Sequence, residues 1–178
     1  VRFPLSLRNV EDLLHERGID ISHETVRFWW NRFGLLFAAE IRRRRGKVTR
    51  AVPRWQWHLH EVFVRINGET HNLWRAVDHE GDVLEVLVSR KRDRRAALKF
   101  LKKAIKRYGL PRVIVTERLR SYSAAIRAIG CVDRHSTGRW LNNRAENSHQ
   151  PFRRRERAMQ RFRKSRTLQT FAAVQAAL

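Results

Sequence analysis

The stretch WQWHLHEVFVRING, residues 55–68, decides the fold of this chain. It is an apolar-rich run in which side chains alternate with a period of two, and such alternation is typical of a β-strand. The run ends in Asn67-Gly68, a dipeptide that favours the type I′ turn of a β-hairpin. We therefore predict that residues 69–77 return as an antiparallel second strand.

His60 is the residue of this first strand that most needs an explanation. Alternation places it on the same face as His58, whereas Glu61 points to the opposite face. A polar side chain in the middle of such an apolar strand is costly to bury unless it has a partner or a chemical role. His60 is therefore our first candidate for a functional residue.

The pattern downstream of the hairpin predicts an α/β domain with a mixed sheet. Three antiparallel strands come first, and then helices alternate with short apolar runs of the kind found in buried parallel strands. The predicted elements are strands at 83–88, 113–115 and 131–135 and helices at 93–108, 121–129 and from Ser165 onward. Asp93 is the expected N-cap of the first of these helices, and Gly109 its expected end.

The first 37 residues predict a small helical region. Ser6 and Ser22 are candidate N-caps for two helices separated by a turn at Gly18, an arrangement that fits a helix-turn-helix. An ordinary helical hairpin is the alternative. Because the chain starts at Val1 rather than Met, we expect region 1–37 to be truncated at its start. The second helix would present His23, Glu24, Arg27 and Asn31 to a DNA groove, and His23, Arg27 and Asn31 are the predicted DNA contacts.

Residues 38–54 predict a basic linker between the helical region and a domain at 55–178. The segment contains the run RRRRGK at 42–47, shows no apolar period and is closed by Pro53. Charge runs of this kind are solvated, and neutralising phosphates is a natural further role for them.

The net charge of +22 points to a polyanionic partner, most simply a nucleic acid. A membrane surface is the competing polyanion, but no basic amphipathic helix dominates the chain. No apolar run approaches the roughly 18 residues of a membrane span. The single cysteine, Cys131, excludes an internal disulfide and fits a reducing cytoplasm.

Three segments resemble motifs of the DDE transposases of the insertion-sequence-six family. WHLHEVFV at 57–64 resembles the family strand WHLDE-x-F/Y-V, and VTERLRSY at 115–122 resembles its T-D-K-x-x-x-Y segment. NNRAENSH at 142–149 matches its N-N-R-x-E-N-x-H helix. The resemblance also takes in residues 20–33, 74–78 and 153–162 and so covers nearly the whole chain.

The resemblance implies an RNase H-like core, a mixed five-stranded sheet with flanking helices, preceded by the small helix-turn-helix. It implies a transposase that binds terminal inverted repeats and target DNA and carries out metal-dependent cleavage and strand transfer. It further implies two Mg²⁺ or Mn²⁺ ions, a homodimer on paired ends, no membrane partner, and a place in the prokaryotic cytoplasm at the nucleoid. The family's catalytic and metal-binding positions correspond here to His60, Glu117 and Glu146.

This chain departs from the family pattern at two of those three positions. His60 stands where the family has its first Asp, and Glu117 stands where it has the second, whereas Glu146 matches. Imidazole offers nitrogen to a cation that prefers oxygen, and it becomes positive below about pH 6.5. We therefore hypothesise a transposase with impaired catalysis. A non-catalytic DNA-binding relic that binds ends or interferes with an active relative is the alternative.

Two further interpretations stay open. His58 and His60 on one strand face would suit Zn²⁺ or Mn²⁺ together with Glu117 and Glu146. An RNA-handling protein is also possible on charge alone, although the helix-turn-helix argues against it. The remaining predicted DNA contacts are Arg42, Arg43, Arg44, Arg45, Arg118, Asn142, Asn143, Arg144, Arg153, Arg154 and Arg155.

Overall fold

The computed structural model describes residues 5–50, 56–117, 119–138, 142, 150, 153 and 162–176. In this part of the chain, helices pack on both faces of a central sheet. The helices are α1 (Leu7–His15), α2 (His23–Arg50), α3 (Arg94–Tyr108), α4 (Arg120–Ile129) and α5 (Ser165–Gln175). The strands are β1 (Gln56–Ile66), β2 (Glu69–Val77), β3 (Val83–Ser89), β4 (Val113–Thr116) and β5 (His135–Thr137).

The five strands form one mixed sheet in the order β3-β2-β1-β4-β5. β1 pairs antiparallel with β2, and β2 pairs antiparallel with β3. β1 also pairs in parallel with β4, and β4 pairs in parallel with β5. At the tip of the first hairpin, Asn67 and Gly68 have φ values of 50° and 84°, as a type I′ turn requires. The predicted mixed sheet is confirmed.

Both faces of the sheet are covered, which explains why β1 is apolar on both sides. Trp57 and Trp74 lie on the face under α3 and α4, and the ring of Trp74 meets that of Tyr122 edge-on at 5.4 Å. On the other face, Leu73 packs with the α5 residue Leu168. These side chains are almost completely buried, so the sheet is the middle layer of the domain.

The predicted helix ends are present in the structure. The Ser6 side chain accepts a hydrogen bond from the Asn9 amide at the start of α1. The Asp93 carboxylate accepts one from the Ala96 amide at the start of α3, which satisfies one of the amides left without a partner in the first turn. α3 ends at Gly109, whose φ of 83° is accessible to glycine at little cost.

The linker prediction is wrong for residues 38–50, because α2 runs without a break from His23 to Arg50. Arginine is a good helix former, so a basic run does not interrupt a helix that has a packing partner. Ala38 is buried against Val174 of α5. The second helix of the predicted helix-turn-helix is therefore 28 residues long rather than short.

The last predicted strand lies slightly further along the chain than expected. Residues 132–134 form one turn of 3₁₀-helix, and the strand covers His135–Thr137 rather than 131–135. Cys131 is buried against the core, and the turn after it carries the chain up to the edge of β4.

Candidate functional site

The parallel pairing of β1 and β4 brings His60 and Glu117 together. Leu59 and Thr116 are register partners, so the residues that follow them lie at the same level of the sheet. The His60 Nδ1 atom lies 2.5 Å from Glu117 Oε1. Two of the three catalytic positions predicted from the sequence are therefore in direct contact.

This pair lies at the solvent boundary beside a buried cation. The His60 side chain is 18% exposed and that of Glu117 is 38% exposed. Arg75 on β2 is the register partner of His60, so the two side chains share a face of the sheet. Arg75 is buried, and burial lowers its pKa to about 10, which still leaves the guanidinium charged at neutral pH.

Glu61 lies on the opposite face and has its own partner. Arg92, in the segment before α3, donates to Glu61 Oε1 from Nε at 3.0 Å and from its terminal Nη2. Burial raises the pKa of the neighbouring Tyr122 well above its ordinary value, and the negative charge of Glu61 adds to that effect. The Glu61 carboxylate is thus held by Arg92 and does not join the His60–Glu117 pair.

The third predicted catalytic residue, Glu146, lies outside the described residues, and so do Asn143 and Arg144. Asn142 is described. Its side chain is buried, and Nδ2 donates a hydrogen bond of 2.9 Å to the carbonyl oxygen of Leu59. The Asn142 amide is thus directed at the protein backbone beside His60, and the DNA contact at Asn142 stays a prediction.

Arg42, another predicted DNA contact, has a hydrogen-bond partner within the protein. This guanidinium is buried, and it donates a 2.6 Å hydrogen bond to the carbonyl oxygen of Ala173 in α5. Burial lowers its pKa from the ordinary value. Arg42 joins two helices and does not face solvent.

Other predicted DNA contacts have protein partners but reach the surface. Arg43 and Arg44 both pair with Glu40, and these two guanidinium groups hold the pKa of Glu40 down to about 2. Arg45 lies 3.4 Å from Asp82, and Arg153 is half-buried and donates to the carbonyl of Phe63 at 2.8 Å.

On the first two helices, His23 lies 2.8 Å from Glu11 and thereby joins α2 to α1. Arg27 pairs with Glu24, and Asn31 is exposed. The predicted contacts Arg118, Arg154 and Arg155 lie outside the described residues.

A compact acidic cluster lies elsewhere, at the turn between β2 and β3. The ligand atoms of Asp78, Glu80 and Asp82 are within 4.8 Å of one another. Asp78 Oδ1 accepts hydrogen bonds from the amides of Glu80 and Asp82, both at 2.9 Å. The cluster is accounted for by this turn, in which an aspartate side chain organises the backbone that follows it.

Sequence reasoning missed three residues near the site. They are Arg75 and Arg92, already described, and Thr116, whose Oγ1 lies 2.7 Å from His135 Nε2. Arg75 is a charged residue inside a buried strand, and that pattern is itself a signal that the residue has a partner or a role. The sequence holds no comparable signal for Arg92, which lies in a polar loop.

Comparison with known proteins is consistent with this geometry. A family model described as a DDE domain matches residues 54–178. The chain belongs to the DDE-domain family of transposases, and the expected resemblance to the insertion-sequence-six group is confirmed.

Two relatives come from Staphylococcus aureus. A transposase for insertion sequence-like element IS431mec is 29% identical over 154 residues, which are 84% of this chain and 66% of the relative. A transposase for insertion sequence element IS257 in transposon Tn4003 is 28% identical with the same coverage. The chain thus spans just under two thirds of the length of these relatives.

Among solved structures, the HTLV-2 integrase catalytic core domain in complex with magnesium, in a dimeric form, has a TM-score of 0.51. It is 16% identical, and the match covers 72% of this chain and 86% of that one. This likeness confirms the RNase H-like fold. In the described part of the chain, no helix is both long and apolar enough to cross a membrane.

Proposed function

We propose that this chain is a transposase that binds the DNA ends of an insertion sequence, and that its metal-dependent DNA cleavage and strand transfer are impaired at His60. Three facts support the DNA-binding part of the proposal. The DDE domain covers residues 54–178, the relatives from Staphylococcus aureus are transposases, and the net charge is +22. A charge excess of this size binds phosphate backbones without sequence preference.

The observation that carries the catalytic part is the 2.5 Å contact between His60 Nδ1 and Glu117 Oε1. Mg²⁺ takes oxygen ligands in a nearly ideal octahedron, and imidazole nitrogen suits zinc, copper or nickel better. Any cation at this position would compete with the imidazole for the Glu117 carboxylate, close to the charge of Arg75. His60 and Glu117 therefore do not fit a magnesium site as the family uses it.

Divalent ions in two-metal sites stabilise the attacking and leaving oxygens of an in-line displacement at phosphorus. Apart from that site, this chain offers DNA its many cationic side chains, which bind the phosphate backbone. We expect a homodimer on paired ends in the prokaryotic cytoplasm, at the nucleoid. These expectations rest on the family and on the charge.

The test is calorimetric titration of the chain with Mg²⁺ and Mn²⁺, alongside His60→Asp and the matched control His60→Asn. We expect His60→Asp to bind metal more tightly and to nick duplex DNA faster than the unchanged chain or His60→Asn, because only that variant restores a carboxylate. His60→Asn removes the imidazole without adding a negative charge. It therefore separates the effect of losing the imidazole from the effect of gaining a carboxylate. Metal binding and cleavage by the unchanged chain at the level of His60→Asp would disprove the impairment.

The same contact favours a second candidate, a non-catalytic relic that binds ends or interferes with an active relative. The two candidates differ in residual chemistry. Slow metal-dependent nicking by the unchanged chain would support the impaired enzyme, and DNA binding without any nicking at high Mn²⁺ would support the relic.

A further inference from the structure

A cleft of about 590 Å³ lies between the last turns of α2 and of α3. The two helices approach closely at Gly46, where a Cβ atom would meet the backbone oxygen of Arg107 at 3.0 Å. Glycine at this position allows the close contact between the two helices. The cleft thus lies at the contact by which α2 packs against α3.

Every ionisable residue that lines the cleft among the described residues is a cation. These residues are Arg43, Lys47, Lys103, Lys106 and Arg107. Glu40 pairs with Arg43 but also with Arg44 outside the cleft, and Glu85 pairs with Lys103 and Arg107. The described lining of the cleft thus carries five positive charges and no carboxylate of its own.

The Glu85 carboxylate fixes the positions of two of the cations that would bind an anion in the cleft, Lys103 and Arg107. Its side chain is 2% exposed, whereas those of Lys103 and Arg107 are 40% and 34% exposed. A buried carboxylate beneath half-exposed cations holds them in place, so less side-chain entropy is lost when a ligand binds. The negative end of the α3 dipole is enough to explain why Lys106 and Arg107 stand in its last turn. It does not explain Arg43 and Lys103, which lie outside that turn.

The cleft is separate from the His60–Glu117 pair. β1, β3 and β4 run in the same direction, and Glu117 follows the carboxyl end of β4. α3 starts after the carboxyl end of β3. Its 15 residues, about 22 Å of helix, bring the chain back to the end of the sheet where β4 begins. The cleft near its last turns therefore faces away from the candidate catalytic pair.

We propose that this cleft binds backbone phosphates of duplex DNA that extends beyond the candidate catalytic pair. The proposal rests on the proposed function, because it takes DNA as the ligand of this chain. Guanidinium groups bind phosphate oxygens through paired N–H donors, and ammonium groups add compact charges. An open cleft lined by both groups fits a row of phosphates that carries no sequence information.

The experiment compares two double variants of the full chain that remove the same charge. Lys47→Gln/Lys106→Gln alters the cleft, and Lys99→Gln/Lys102→Gln alters exposed positions of α3 that do not line it. All four side chains are exposed, so both variants are expected to fold, which thermal denaturation verifies. Binding to a duplex of about 30 base pairs is measured at several salt concentrations.

We expect the cleft variant to bind about tenfold more weakly and the slope of log K against log salt to fall by about 2, since each lost phosphate contact removes roughly 0.9. The control variant should keep the parent slope. Equal losses of DNA affinity in both variants, or no loss in the cleft variant, would disprove phosphate binding by the cleft but not DNA binding by the chain. Failure of the parent chain to bind duplex DNA would instead overturn the proposed function, and the cleft with it.

Discussion

Asn142 donates a hydrogen bond of 2.9 Å to the carbonyl oxygen of Leu59, the residue immediately before His60. Both residues are almost fully buried. The bond fastens the start of the segment that carries Glu146 to the strand that carries His60. One amide side chain thus joins Asn142, four residues before Glu146 in the sequence, to the strand that carries His60.

Replacing Asn142 with Ala should lower the free energy of unfolding by about 1–3 kcal/mol, because the buried Leu59 carbonyl loses its side-chain donor. Urea denaturation measures the loss. Asn31→Ala is the matched control, since Asn31 is exposed on α2 and its replacement should change stability by less than about 0.5 kcal/mol. An equally small effect at Asn142 would show that the bond contributes little.

Replacing Arg92 with Met should destabilise the fold by about 3 kcal/mol, because the carboxylate of Glu61 stays buried and loses its cation. The methionine keeps much of the aliphatic contact with Phe63, over whose ring Arg92 lies at 5.3 Å. Arg95→Met, at an exposed position in the first turn of α3, serves as control. Similar melting temperatures for the two variants would contradict the importance of the Glu61–Arg92 pair.

The His60→Asp variant should be less stable than the parent without metal and should gain stability with Mg²⁺. Two carboxylates would then face each other where imidazole now meets Glu117, and their repulsion is relieved by a bound cation. At a hundredfold excess over Kd, binding adds about 2.7 kcal/mol. Thermal denaturation in EDTA and in Mg²⁺ measures both effects. A melting temperature insensitive to Mg²⁺ would argue against a metal site in the variant.

Stability should fall in mild acid partly because of His135. Burial lowers the pKa of His135 from its ordinary value of 6.5, so the folded protein binds this proton less tightly than the unfolded chain does. Above about pH 6.5 His135 is neutral in both states, and its contribution to the free energy of unfolding is complete. Below that pH the unfolded chain takes up the proton first, so this contribution is lost as the pH falls through the lowered pKa of the folded state.

Denaturation of the parent and of His135→Gln between pH 8 and pH 5, in EDTA, tests this contribution. The stability difference between the two proteins should shrink or change sign in favour of the variant as the pH falls. Parallel stability curves would show that His135 does not carry the effect.

Local patterns predicted much of the fold. The period-two run of β1, the Asn67-Gly68 turn and the Asp93 and Gly109 ends of α3 all appear as expected. The linker prediction failed because a basic run says nothing about packing, and α2 continues where Ala38 meets Val174 of α5. Arg42 was assigned to DNA from its neighbours in the sequence, but the orientation of its helix turns it towards Ala173.

By itself, the sequence determined the strand order along the chain, the helix caps and the family, because turns, caps and motifs are encoded by residues close to one another. Only the tertiary structure decided which partner each polar group has. The parallel register of β1 and β4 placed His60 against Glu117, and the packing of α2 and α3 gathered the cations of the cleft. Such contacts join residues far apart in the chain, so their geometry depends on how whole elements pack and is not encoded in any local run of residues.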